Sequence, residues 1–284
     1  MRGIARRPVV LALACALASA AGCAAAPPAA PPPTTTAPAA TATATAAAPT
    51  LSERGEAAGT YASLRAGTTG IVVRDRRTGA VWRNAEADRP FRAASTVKLA
   101  IAVDLLTRAR AGSIRLSAAD RASMRAMIVS SDNAAASRLW DRFGGAAIGA
   151  RFAAYGMTGA TGTGAWGTVR CTPLDLERLV THVLERTDPA DRAVLVGLLR
   201  AVVPQQRWGV LGVDAGARPG AKNGWTVSPA GWAVDTAGFA GPDERWTVVV
   251  MTDLSGAATG APDDFLYGVQ TVTGVVTTLF LGLS

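Results

Sequence analysis

The chain has 284 residues, 49% of them hydrophobic and 18% charged, with a formal net charge of +8. That length suits one generous domain or two modest ones. Arg2, Arg6 and Arg7 supply three of the charges and no long run of basic residues follows, so the chain lacks a nucleic-acid footprint. Three cysteines exclude a disulfide scaffold, and one histidine with those scattered cysteines excludes the usual zinc site. No metal or cofactor is expected.

Residues 1–22 read as a signal peptide: three arginines, then a nearly continuous apolar stretch from Val9 to Ala21, too short to span a bilayer comfortably. The segment ends in Ala20-Ala21-Gly22-Cys23, which resembles a lipoprotein cleavage box with Ala20 where Leu is usual. Cys23 is the expected lipidation site. Residues 24–50 contain only Ala, Pro and Thr. Such a stretch cannot offset its ordering entropy, and its proline makes it a semi-rigid spacer. Residues 23–50 would then tether a folded domain, residues 51–284, to the outer face of the cell membrane; failing lipidation, the protein would be secreted. With Cys15 removed and Cys23 lipidated, Cys171 is left alone and no disulfide is expected.

Within the folded part, Gly70–Val73 and Ala80–Trp82 flank Arg76-Arg77-Thr78-Gly79, a hairpin signal. Ser95 to Arg110 reads as a helix apolar nearly all round, with Ser95 as N-cap and Gly112 as stop, and such a helix belongs at a domain centre. Helices follow near 118–129 and 133–143. Thr172-Pro173 with Asp175, and Asp188-Pro189 with Asp191, mark two further helix starts. Residues 232–239 and 245–252 read as strands joined by a turn at Gly241-Pro242, and 264–281 as a final helix. Strands at both ends with helices between them suggest one sheet built from both termini.

Three short motifs carry chemistry. Ser95-Thr96-Val97-Lys98 places a hydroxyl and an amine one helical turn apart. A serine is a poor nucleophile until a neighbour takes its proton, and a lysine held neutral by burial can do so. Ser131-Asp132-Asn133 presents a hydroxyl and an amide on a tight turn, with Asp132 placed to cap the next helix. Lys222-Asn223-Gly224-Trp225 lies before or on a strand. Composition strengthens the first and third motifs. Of 29 basic residues only Lys98 and Lys222 are lysine, and lysine can accept a proton at ordinary pH where arginine cannot.

In this order the motifs resemble the Ser-x-x-Lys, Ser-Asp-Asn and Lys-Thr-Gly set of class A β-lactamases and penicillin-binding proteins, over most of residues 60–284. Cys171-Thr172-Pro173-Leu174 resembles the helix start that follows the omega loop in that superfamily. The resemblance implies an α/β sandwich in which an antiparallel sheet from both termini carries an inserted all-helical lobe. It implies Ser95 as acylated nucleophile, Lys98 as base or relay, Ser131 as proton donor to the leaving nitrogen, and Lys222 as positive charge beside Ser131 and the substrate carboxylate. Asn133 would bind the substrate's amide side chain. The backbone amides of Ser95 and Trp225 would form an oxyanion hole next to Gly224. The expected partner is a small substrate, a β-lactam or a peptide resembling the D-Ala-D-Ala stem of peptidoglycan, and the enzyme is expected to be a monomer.

Two departures follow. Asn223 replaces the usual Thr or Ser, so an amide would have to donate to the carboxylate. The omega-loop Glu is missing: between Asn133 and Pro173 the one acidic residue is Asp141, within a helix, and the loop at about 156–169 carries Trp166 instead. Glu177 lies beyond Pro173 and is expected to face solvent. Acylation machinery without a deacylation base should form an acyl-enzyme and stall. A β-lactamase with another water-activating group, or an inactive lipoprotein that keeps the fold as a binding module, are the competing readings. His182 reads as a structural helix residue, Gln205–Gly209 as an ordinary loop packing a Trp in preference to a lining of the cleft near Lys222, and Arg207 or Arg218 as a carboxylate contact between which the sequence does not choose.

Overall fold

The structure is a computed structural model that describes residues 48–281. The leader, Cys23 and nearly all of the tether lie outside the described residues. Helix α1 (Leu51–Ser63) leads into strands β1 (Thr68–Asp75) and β2 (Val81–Arg83). A short strand β3 (Phe91–Arg92) precedes the helical block: α2 (Lys98–Arg110), α3 (Ala118–Val129), α4 (Asn133–Arg142) and the single turn α5 (Ala146–Gly149). Strand β4 (Arg170–Cys171) pairs with β3 and opens α6 (Pro173–Glu185) and α7 (Pro189–Arg200). Strands β5 (Gly220–Ser228), β6 (Gly231–Ala240) and β7 (Trp246–Asp253) and helix α8 (Asp264–Phe280) complete the chain.

The sheet runs β2-β1-β7-β6-β5 and is antiparallel throughout. Pairing of β1 with β7, Val72 opposite Val249, joins the two ends of the chain in one sheet, as expected. Alternation then splits the strands between two cores. Val248 and Val250 pack with α1 and α8 on one face, whereas Val249 and Met251 join the helical lobe on the other. Both faces are covered, which explains why β7 reads as an unbroken apolar run. In the lobe, α2 is buried at every position from Lys98 to Leu106.

The helix α1 is an addition to the expected elements. Its Thr50-x-x-Glu53 start forms a capping box: Glu53 N donates to Thr50 Oγ1 and Thr50 N to Glu53 Oε2. Thr50, assigned to the tether, thus begins the domain. The helix has no apolar stripe because it docks through small residues; a Cβ on Gly55 would lie 2.1 Å from the Trp82 ring.

The helix expected at Ser95 also starts later. Residues Ala94–Val97 form a 3-10 turn, and α2 begins at Lys98. Ala93 O accepts both Thr96 N (3.0 Å) and Thr96 Oγ1 (2.5 Å), so the backbone turns on Ala93 and Ser95 does not act as N-cap. Ala94 adopts φ +44°, a strained left-handed conformation for a residue with a Cβ.

The expectation that Glu177 faces solvent is wrong. Glu177 is fully buried where α6 crosses β1 and β7. Its Oε1 accepts from Arg74 Nε (2.7 Å), Thr181 Oγ1 (2.7 Å) and Thr247 Oγ1 (2.8 Å). Similar carboxylate–arginine pairs tie the rest of the fold. Buried Asp104 on α2 holds Arg151 and Tyr155, Glu244 joins Arg192 to Arg200, and Asp75 pairs with Arg245. Removing one partner of such a buried pair strands the other. Glu177→Ala is therefore expected to lower the unfolding free energy by about 3 kcal/mol, measured by urea denaturation, without changing the reactivity of Ser95; a variant of wild-type stability would contradict the assignment.

Candidate active site

The left-handed turn between α3 and α4 sets the geometry. Ser131 sits there at φ +59°, and Asp132, as expected, caps α4 by accepting from Ala135 N at 2.7 Å. This kink directs both oxygens of Ser131 at the two lysines. Lys98 Nζ donates to Ser131 O (2.7 Å) and to Asn133 Oδ1 (2.6 Å), with Ser131 Oγ at 3.4 Å. Lys222 Nζ, from β5, donates to Ser131 Oγ (3.0 Å) and to Asn223 O (2.6 Å). Lys98 and Lys222 are 0% and 1% exposed.

Both amines touch one hydroxyl, so they stand no more than roughly 6.4 Å apart. At an effective dielectric of about 20, two positive charges at that distance repel by about 3 kcal/mol. No carboxylate contacts either amine among the described residues, since Asp132 is spent on its cap. Burial draws the Lys98 pKa down to about 8, against a smaller upward pull from Asp132. Burial and then the Lys98 charge hold Lys222 well below the ordinary lysine range. A neutral Lys98 would spend its two N–H bonds on Ser131 O and Asn133 Oδ1 and keep its lone pair for a hydroxyl proton.

Ser95 lies on the 3-10 turn immediately before Lys98 and is 8% exposed. Its hydroxyl is not one of the three Lys98 contacts, so the expected Ser95–Lys98 bond is not made here. The turn packs against β5, the sheet's edge strand. A Cβ on Gly224 would fall 2.9 Å from Thr96 N and 3.0 Å from Ser95 N, which is why this position is glycine. The Trp225 ring packs on Trp208 and Phe265.

Asn223 is 1% exposed, and its Nδ2 donates to Gln206 O (2.8 Å) and Trp208 O (3.1 Å). Both amide protons are committed, so Asn223 holds the 204–209 loop in place of offering a donor to a substrate. Gln206 Nε2 in turn reaches Ser130 O at 3.0 Å, tying that loop to the Ser131 turn. The Gln205–Gly209 stretch therefore flanks the site and is more than a loop packing a Trp. Arg207 turns back to Arg200 O, and Arg218 is exposed at φ +47° two residues before β5.

His182 stacks edge-to-face on Tyr155 in a separate polar pocket with Arg178 and Arg186, as a structural residue should. Cys171 is free and buried. Two features went unread. Trp166 lays its ring 4.9 Å from Lys98 Nζ. Asp235 stands opposite Gly224 on β6, fully buried with neither carboxylate oxygen hydrogen-bonded, and burial pushes its carboxyl well above the usual range. A lone aspartate within an apolar strand was the available signal.

A sheet from both termini, with a helical lobe inserted between its halves and two lysines converging on a serine turn at their junction, defines the class A β-lactamase fold. The chain belongs to the Beta-lactamase enzyme family, whose pattern matches residues 55–120 and 121–264. It is 30% identical over 243 residues to a protein named "Putative lipoprotein LppW" in Mycobacterium tuberculosis and Mycobacterium bovis, covering 81% of this chain and 75% of theirs. The fold is similar to the β-lactamase of Sphaerobacter thermophilus (TM-score 0.67, 23% identity, 81% of this chain and 97% of that one). It is also similar to an ancestral class A β-lactamase (TM-score 0.65, 21% identity, 82% and 100%). Among the described residues no helix is long and apolar enough to cross a membrane.

If Asn223 supports the 204–209 loop, Asn223→Ala leaves two carbonyls without their donor and costs about 2 kcal/mol. Amide exchange at Val210 and Leu211 should quicken in that variant; unchanged exchange and stability would show that Asn223 has another task.

Proposed function

We propose that the protein is an exported serine acyl-transfer hydrolase that forms an acyl-enzyme at Ser95 and deacylates slowly. One observation carries this reading: two buried lysines, neither in contact with a carboxylate among the described residues, meet at Ser131 Oγ beside the Ser95 turn. Burying an amine is costly unless its neutral form is used. In the reaction Lys98 accepts the Ser95 proton as Oγ attacks the carbonyl carbon of a strained or activated amide. The amides of Ser95 and Trp225 stabilise the oxyanion. As the C–N bond breaks, Ser131 passes its proton to the leaving nitrogen and regains one from Lys98. Lys222 orients Ser131 and attracts a substrate carboxylate; Asn133, held through Oδ1 by Lys98, offers its Nδ2 to the substrate amide. β-Lactams and D-Ala-D-Ala-like peptides combine that amide with a nearby carboxylate.

Slow deacylation is supported by the absence of any acidic residue from 142 to 172; Asp132, beside Ser131, is committed to its helix cap, and Glu177 to its ion pair with Arg74. Anchoring through Cys23 at the outer membrane face draws support from the relative named as a lipoprotein.

Incubating residues 48–284 with benzylpenicillin and weighing the intact protein tests the reading. Wild type should carry a persistent adduct that Ser95→Ala and Lys98→Ala lack. Its formation rate should rise with pH and level off with a midpoint near 8, because acylation needs the neutral amine. Hydrolysis without an adduct would mean a β-lactamase with an unrecognised water-activating group. Neither adduct nor hydrolysis would favour a binding module.

A further inference from the structure

The loop from Gly156 to Val169 has most of its residues exposed; Met157 and Val169 enter the core at its ends, and between them one half-buried side chain reaches the site. That side chain is Trp166. Its ring centroid lies 4.9 Å from Lys98 Nζ, and its Nε1 donates to Ser137 Oγ on α4 at 3.2 Å. The loop is pinned at its base, where Thr161 and Arg170 exchange backbone hydrogen bonds (Thr161 N to Arg170 O at 2.9 Å, Arg170 N to Thr161 O at 3.0 Å). Two further contacts hold its shape: Thr168 Oγ1 donates to Gly162 O, and Val169 O accepts from Ala93 N on the nucleophile's own turn. The indole is thus a fixed wall.

Lys98 is fully buried although the loop over it is open to solvent. Its N–H donors point at Ser131 O and Asn133 Oδ1, and an aromatic face covers it from the loop side. An aromatic face attracts the cationic amine but accepts no proton and holds no water firmly. Hydrolysis of an acyl-enzyme needs a water oxygen to bond the acyl carbon, a base to take that water's proton, and the C–Oγ bond to break with Ser95 Oγ reprotonated. Lys98 is the base at hand.

We propose that Trp166 sets the lifetime of the acyl-enzyme by closing the loop-side face of Lys98 to the water that deacylation requires. This inference rests on acylation at Ser95 for its consequence but not for the shielding itself. Trp166 is a positioning residue: its ring faces the Lys98 amine and takes no proton.

Two readouts test it separately. The chain has only two lysines, so reductive methylation with formaldehyde and borohydride, mapped by mass, reports Lys98 and Lys222 individually without any substrate. Lys98 should resist methylation in wild type and react at least tenfold faster in Trp166→Ser, with Lys222 unchanged. Trp166→Phe, which restores a ring, should return Lys98 toward wild-type protection. Should Trp166→Ser unfold, both lysines would react; Ser137→Ala, which removes only the indole's anchor, then decides by raising Lys98 labelling alone. Protected Lys98 in these variants overturns the shielding. In the second readout, the benzylpenicillin adduct should decay at least tenfold faster in folded Trp166→Ser. An unchanged half-life with Lys98 exposed overturns the link to deacylation. No adduct in wild type, with Lys98 still uncovered by Trp166→Ser, would remove the proposed function and with it the lifetime claim, leaving the shielding intact.

Discussion

Two lysines buried against one serine hydroxyl, with no carboxylate in contact with either among the described residues, form the constraint on which the rest of the structure turns. Lys98 arrives from the lobe and Lys222 from the sheet's edge strand, so their meeting at Ser131 requires the lobe and sheet to be seated correctly on one another. The amines cannot both be charged without a repulsion of about 3 kcal/mol and a heavy desolvation cost. A fold that retains this arrangement brings the Lys98 amine down to about 8, where its neutral form is within reach of ordinary pH, and sets the Ser95 turn beside it.

The division between arginine and lysine follows from the same constraint. Arginine does the structural pairing: Arg74 with Glu177, Arg151 with Asp104, Arg245 with Asp75. Its planar fork meets a carboxylate through two parallel bonds and it never gives up its charge. That permanence suits a tie between elements and disqualifies it from proton transfer. The chain's two lysines stand at Ser131 Oγ, and of the two it is Lys98 that the proposed reaction needs as a proton acceptor.

Much of the site was legible because its chemistry is local in sequence. Ser95 and Lys98 are one turn apart, Asp132 caps the helix it precedes, and Lys222 and Gly224 lie on one strand. The sheet from both termini was legible from apolar runs at either end. What could not be read depended on distant partners. Glu177 looks solvated on its helix, and only the placement of Arg74 and Thr247 on β1 and β7 buries it. Ser95 looks like an N-cap, but the Ala93 carbonyl organises that turn. Helix α1 lacks an apolar stripe because Gly55 lets Trp82 approach in its place. Asn223 looks like a substrate donor until Gln206 and Trp208 present their carbonyls to it. Trp166 looks like a bystander in a glycine-rich loop, and its contact with Lys98 spans 68 residues of sequence.

The most direct test is a pH titration of the domain grown with lysine carrying carbon-13 at Cε. Only two resonances can arise from side chains, one from each lysine. The account predicts a Lys98 midpoint near 8 and a Lys222 midpoint well below the ordinary lysine range of about 10.4, with the Lys222 midpoint rising in Lys98→Met as the neighbouring charge is removed. Two unperturbed titrations near 10.4, insensitive to that substitution, would contradict it.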